Sequence, residues 1–219
     1  MAPFDSASGG TWIGVNERGV ASCLLNGYEP DDDALRGDPS VPSRGVIIPR
    51  ILEGQDGPGP ARLPEALDFS AYPSFTMLVA SKDGGELVRW RRGAGIAREP
   101  ILPGFTFLTS SSWREPEIAR RRRSLFDAWR AAGEPTINGL PTLHVTAAAG
   151  EESEAVFMTR RESATRSITQ VSVEPSRGVA NLRWWPRPGT DTIDPSNPTT
   201  LLDLELVAAT ASLDPGSRP

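Results

Sequence analysis

Cys23 is the only side chain in this 219-residue sequence that could serve as a thiolate nucleophile or a thiolate metal ligand. It lies inside an apolar run, and no neighbour supplies a base, so a packed or partly exposed structural thiol competes with a catalytic one. A lone cysteine excludes an intramolecular disulfide and a cysteine-cluster metal site. His144 has no second imidazole with which to share a metal, and Asp31-Asp32-Asp33 lacks the spaced acceptors of a calcium loop, so it reads as a solvated acidic turn. No metal or organic cofactor is expected. Gly9-Gly10 and Gly84-Gly85 have neither Walker nor dinucleotide spacing and read as tight turns. Arg120 to Arg123 reads as a solvated helix face with one or two ion pairs, against a dedicated anion site. Trp184-Trp185 either packs at a strand end or offers a recognition edge to a ligand or partner.

The elements that must position these groups are short. Residues 11–26 form a hairpin: Trp12, Ile13 and Val15 make one arm, Asn16-Glu17-Arg18-Gly19 the turn, and 20–25 the other. Asn16 is suited to bond the backbone of that turn. After an acidic connection over 29–43, Ser43 caps a short helix carrying Val46, Ile47, Ile51 and Leu52, which Pro49 keeps short. A second hairpin spans 75–80 and 86–91, and 105–109 is a further strand. Residues 116–132 form a surface helix with an apolar stripe of Ile118, Leu125, Phe126 and Trp129. Strands follow at 155–159, 168–173 and 179–184, then an irregular excursion over 186–200, a terminal strand at 201–208 and a fraying tail at 214–219. Helices between groups of short antiparallel strands give an α+β or layered domain, most simply one over 1–219.

Composition narrows the function classes. With 38% hydrophobic and 23% charged residues the chain reads as soluble and globular. A net charge of -5 gives no reason to expect nucleic-acid or anionic-membrane binding. No apolar run spans a bilayer and residues 1–10 form no secretory signal, so cytoplasmic residence is the expectation. The apolar hairpin could complete an internal sheet or an intermolecular one, the second implying a homodimer.

Gly9-Gly10-Thr11-Trp12-Ile13-Gly14-Val15-Asn16, with Gly19 and Leu25-Asn26, resembles the segment that follows the terminal motif of the transport and Golgi organisation protein 2 (NRDE) family. Ser43-Arg44-Gly45 resembles that family's early helix start, and Leu108 to Phe126 its serine-containing strand end and arginine-rich helix. Val156 to Ser167 resembles its threonine-arginine-serine region, so the matches cover roughly residues 9–185 in the expected order. The resemblance implies the αββα sandwich of N-terminal nucleophile hydrolases, an ancestry in linear-amide hydrolysis, and Asn26 as an oxyanion donor at a strand end. It places Arg166 as a substrate-orienting residue, with Arg160 and Arg161 as competing alignments. Ser110 falls where related acylases carry a second asparagine, whose two-donor reach a hydroxyl does not reproduce. Local capping is the structural alternative for Ser110.

Family members ordinarily begin Met-Cys and later carry Asn-Arg-Asp-Glu, whereas this sequence begins Met1-Ala2. The expectation is therefore a chain truncated at its first strand and catalytically incomplete as written, since Cys23 cannot supply the α-amine that moves protons in such sites. With an upstream Met-Cys, cysteine would attack an acyl carbonyl and water would then cleave the thioester. The alternative is a non-enzymatic module that binds a small molecule or a protein in trafficking or in lipid and cofactor handling, its ligand an amide-containing or lipid-like molecule. The sequence carries no Golgi address.

Overall fold

The computed structural model describes residues 1–6, 9–35, 38–54, 59–64, 67–133, 136–146, 151–161, 163–189 and 192–207. Its first sheet grows from the early hairpin. Asn16 Oδ1 accepts from the backbone N–H of Arg18 and of Val20, and Gly19 takes the left-handed φ of 73° that closes the turn. The hairpin arms are β1 (Ile13–Val15) and β2 (Ala21–Asn26), and the antiparallel order continues through β3 (Phe75–Ser81), β4 (Gly84–Arg91) and β5 (Gly95–Pro100).

Ladder register decides what each face buries. Leu24 opposes Met77, which opposes Val88, and Asn26 opposes Phe75, which opposes Trp90. That face meets α1 (Ile47–Glu53): Ile47, Ile48 and Ile51 join Leu24, Phe75, Met77, Val79 and Val88 in one buried cluster. Each such side chain contributes about 1.5–3 kcal/mol, so this cluster dominates the fold's stability. Asn16 Nδ2 donates to the Leu52 carbonyl and ties the hairpin turn to the end of α1. Ser43 accepts from Gly45 N–H and caps a 3-10 turn that runs into α1, as its position predicts.

The outer edge of β1 is closed within the chain. Val15 exchanges backbone hydrogen bonds with Met1, and the Thr11 hydroxyl donates to the Ile13 carbonyl. The hairpin therefore completes an internal sheet.

The second sheet orders β6 (Ser167–Glu174), β7 (Val179–Pro186) and β8 (Thr200–Glu205). Ile168 and Trp185, opposed in register, form a smaller core with Phe157 and Ile193. The two sheets meet where Val207 N–H donates to Glu17 O and where Gly19 abuts Val173 and Leu206. Two antiparallel sheets with helices and no closed barrel make an α+β sandwich, as the sequence predicts.

Several predicted elements take another form. Residues 105–109 form no strand: Phe105 and Phe107 turn their rings onto Phe126 of α2 (Glu115–Ala131) instead of pairing backbone. Residues 155–159 form only an isolated bridge from Thr159 to Ala164. Side chains replace the ladder there, since Arg122 donates to the carbonyls of Glu154 and Ala155. Polar β5 and the six-residue α3 (Leu140–Val145) carry too little apolar pattern to be read from sequence. The excursion contributes buried Ile193, the last strand ends at Glu205, and the predicted tail over 214–219 lies outside the described residues. No helix among the described residues is long and apolar enough to cross a membrane.

Candidate functional site

Asn26 ends β2, and the chain then passes unusually close to the start of β3. Gly27 N–H donates to Ser74 O at 2.8 Å, and a Cβ on Gly27 would sit 2.8 Å from the Ser74 carbonyl carbon. Only glycine permits that approach. Arg44, one residue beyond the Ser43 cap, reaches the same junction: its Nη1 donates to Ser74 O at 2.8 Å and to Gly27 O at 3.3 Å. Among the described residues its Nε and Nη2 have no protein acceptor. Burial lowers the Arg44 pKa, while Tyr28 and Asp32 oppose that shift. A guanidinium so placed stays charged.

Asp32 corrects one expectation of the sequence. The acidic run is not simply a solvated turn, because Asp32 is buried and its carboxylate is fully engaged: Oδ1 accepts from Ser74 N–H at 2.9 Å and Ser74 Oγ at 3.1 Å, and Oδ2 from Glu29 N–H at 3.3 Å. Ser74 Oγ in turn accepts from Arg92 N–H at 3.0 Å. A composition rule marks three aspartates as solvated, and only tertiary placement shows the middle one as an internal anchor. Against this scaffold opens a cavity of about 400 Å³ lined by Gly27, Tyr28, Asp32, Leu35, Asp38, Val41, Arg44 and Pro73. Asn26 adjoins it in the chain, and its carboxamide oxygen is buried without a hydrogen-bond donor. Buried polar groups are nearly always paired, so an unpaired amide at a strand end beside a cavity stands out.

The other candidate residues group elsewhere. Ser110 gives its carbonyl to Arg122, which also donates to Thr109 Oγ1. Arg160 donates to Ser111 Oγ at 3.2 Å and to Ser153 O, and stacks over Trp113. Arg166 is exposed, and its carbonyl accepts from Arg187 N–H. No hydrogen bond among the described residues joins this network to the Asn26 side chain. On α2 the pairs of Arg121 with Glu151 and Glu154 are ion pairs of the kind expected of a solvated face, whereas Arg122 departs from that expectation as a buried staple whose pKa burial lowers.

Cys23 is half-buried, with Ile13 and Leu78 opposite it in the ladder, and burial pushes its thiol up to about 11. It is protonated at neutral pH and a poor nucleophile. Trp185 is buried in the smaller core, leaving Trp184 as the half-exposed member of the pair. His144 Nδ1 lies 2.8 Å from the Leu140 carbonyl of its own helix. No group of three or more histidine, cysteine, aspartate or glutamate side chains among the described residues could hold a metal ion. Sequence reasoning missed Arg44 and Asp32 as site residues; the signal available for Arg44 was its place beside the helix cap Ser43.

The family model for Transport and Golgi organisation 2 matches residues 1–178. Comparison with individual curated proteins gives no match.

Proposed function

Because this chain belongs to the Transport and Golgi organisation 2 family, we propose that it is a small-molecule-binding domain whose site is the cavity lined by Gly27 and Arg44, next in the chain to Asn26. The observation that carries this reading is the buried, unpaired Oδ1 of Asn26, one residue before Gly27 at a cavity also lined by Arg44, whose Nε and Nη2 have no acceptor among the described residues. The unpaired Asn26 oxygen accepts and so suits a ligand amide N–H, and the guanidinium suits a carboxylate close by, while Leu35, Val41 and Pro73 offer apolar contact for a lipid-like portion. Arg166 and Ser110 have no part in this reading, and Cys23 acts as packing.

Calorimetric titration with N-octanoylglycine, which carries an amide, a carboxylate and an alkyl chain, tests the assignment. Asn26→Leu replaces an unpaired polar group by an apolar one of similar size, so stability should hold within about 1 kcal/mol while affinity falls tenfold or more. Absence of binding, or equal affinity in the folded variant, overturns it. The alternative hydrolytic reading takes Asn26 as an oxyanion donor through its Nδ2, a role that the family resemblance implies and that its unpaired Oδ1 does not itself support. That reading needs a terminal cysteine as nucleophile, which Cys23 does not replace, so it predicts release of free glycine from this probe by a chain preceded by Met-Cys and none once Asn26 is Leu; binding without release leaves the non-enzymatic reading standing.

A further inference from the structure

Arg123 and Arg130 lie seven residues apart on α2, so two turns and about 10 Å separate them along one face. Both are exposed. The Arg123 guanidinium sits 4.6 Å from the ring centre of Phe107 and 5.8 Å from that of Phe126, and Arg130 lies 5.7 Å from Phe105 and 5.8 Å from Phe126. Among the described residues neither has a carboxylate or carbonyl partner within hydrogen-bond distance, although exposed Asp127, four residues after Arg123 and three before Arg130, shares their face and leaves it with a net charge of about +1. Their neighbours Arg121 and Arg122 are fully committed to Glu151, Glu154 and backbone carbonyls. Stacked guanidiniums keep their N–H edges pointing outward, available to an anion.

Phe105, which Arg130 covers, is partly exposed, and two more apolar side chains close to it or to Trp129 along the chain are exposed as well. Phe105 is 40% exposed, Leu102, three residues earlier in the same loop, 74%, and Ile137 56%. Ile137 belongs to the turn whose Gly139 lies against the Trp129 indole, so it flanks the same aromatic group. We propose that this face of α2 docks on an anionic phospholipid bilayer, with Leu102, Phe105 and Ile137 entering the headgroup boundary and Arg123 and Arg130 meeting lipid phosphates. A free anion would engage the charges and leave the three apolar side chains in water; a bilayer receives both. The net charge of -5 does not oppose this, because the attraction acts within a Debye length of the patch.

The test is co-sedimentation of the full chain with vesicles of phosphatidylcholine alone and of phosphatidylcholine with 30% phosphatidylserine, at low and high salt. Binding should require phosphatidylserine and weaken as salt rises. Arg123→Gln with Arg130→Gln should weaken it roughly 25-fold, about fivefold per charge, whereas Lys at both positions should retain it. Leu102→Ser with Phe105→Ser should weaken binding while preserving its salt dependence. Equal binding to both vesicle types, no binding, or an unchanged Gln variant overturns the proposal. So does competition by millimolar glycerol phosphate, which would assign the arginines to a free anion, or a concentration-dependent dimer that these substitutions abolish. The lipid and salt dependence of the wild-type chain decides the matter even where a variant fails to fold. Asn26→Leu should leave vesicle binding unchanged, which separates this surface from the cavity.

Discussion

Cys23 shows how a reactive residue type is disarmed by place. With its thiol raised to about 11 from an ordinary value of 9.0, the thiolate fraction near pH 7.5 falls about 100-fold. Reaction with a disulfide reagent should accordingly be about two orders of magnitude slower in the folded chain than in urea. The same shift makes stability depend on pH. The folded state holds the thiol proton where the unfolded chain has lost it, so the stabilisation is complete below about pH 9 and is lost as pH rises through about 11. Denaturant midpoints at pH 8 and pH 10.5 should differ more in the wild-type chain than in Cys23→Ala. Asn26 is the opposite case, a residue of ordinary reactivity made conspicuous by an unpaired buried oxygen.

At the level of elements, α2 is held by a side chain where the sequence predicts a strand. Arg122 donates to Glu154 O, Ala155 O, Ser110 O and Thr109 Oγ1, joining the helix to two segments that lack a ladder of their own. Removing it leaves several buried carbonyls without donors, and Arg122→Met should cost about 3 kcal/mol in urea unfolding, with Arg122→Lys recovering part. The sequence shows an arginine run and an apolar stripe, but periodicity does not say which arginine turns inward. Residues 105–109 and 155–159 have strand-like composition for the same reason: aromatic and β-branched residues suit any half-buried surface, and here the covering partner is a helix or an arginine.

Across the whole molecule the two sheets are unequally supported. The first rests on a cluster that includes Leu24, Phe75, Met77, Val88 and all three buried isoleucines of α1, whereas the second rests on Phe157, Ile168, Trp185 and Ile193. Native-state hydrogen exchange should therefore show β6, β7 and β8 amides opening at lower denaturant than those of β2, β3 and β4. Equal protection of both sheets would mean that their junction at Glu17, Gly19, Val173 and Leu206 couples them into one cooperative unit.

The sequence by itself determined the antiparallel hairpins, their turns and the α2 helix, because each depends on local periodicity and on a few turn and cap residues such as Asn16, Gly19 and Ser43. It also determined the family, through the ordered motifs beginning at Gly9. Tertiary structure alone decided which polar groups were withdrawn from water. Asp32, Ser74, Arg44 and Arg122 come from segments far apart in the chain, and their engagement follows from the approach of Gly27 to Ser74 and of α2 to residues 154–155. Such long-range contacts leave no periodic trace, since a side chain's burial and partners depend on what the rest of the fold brings against it.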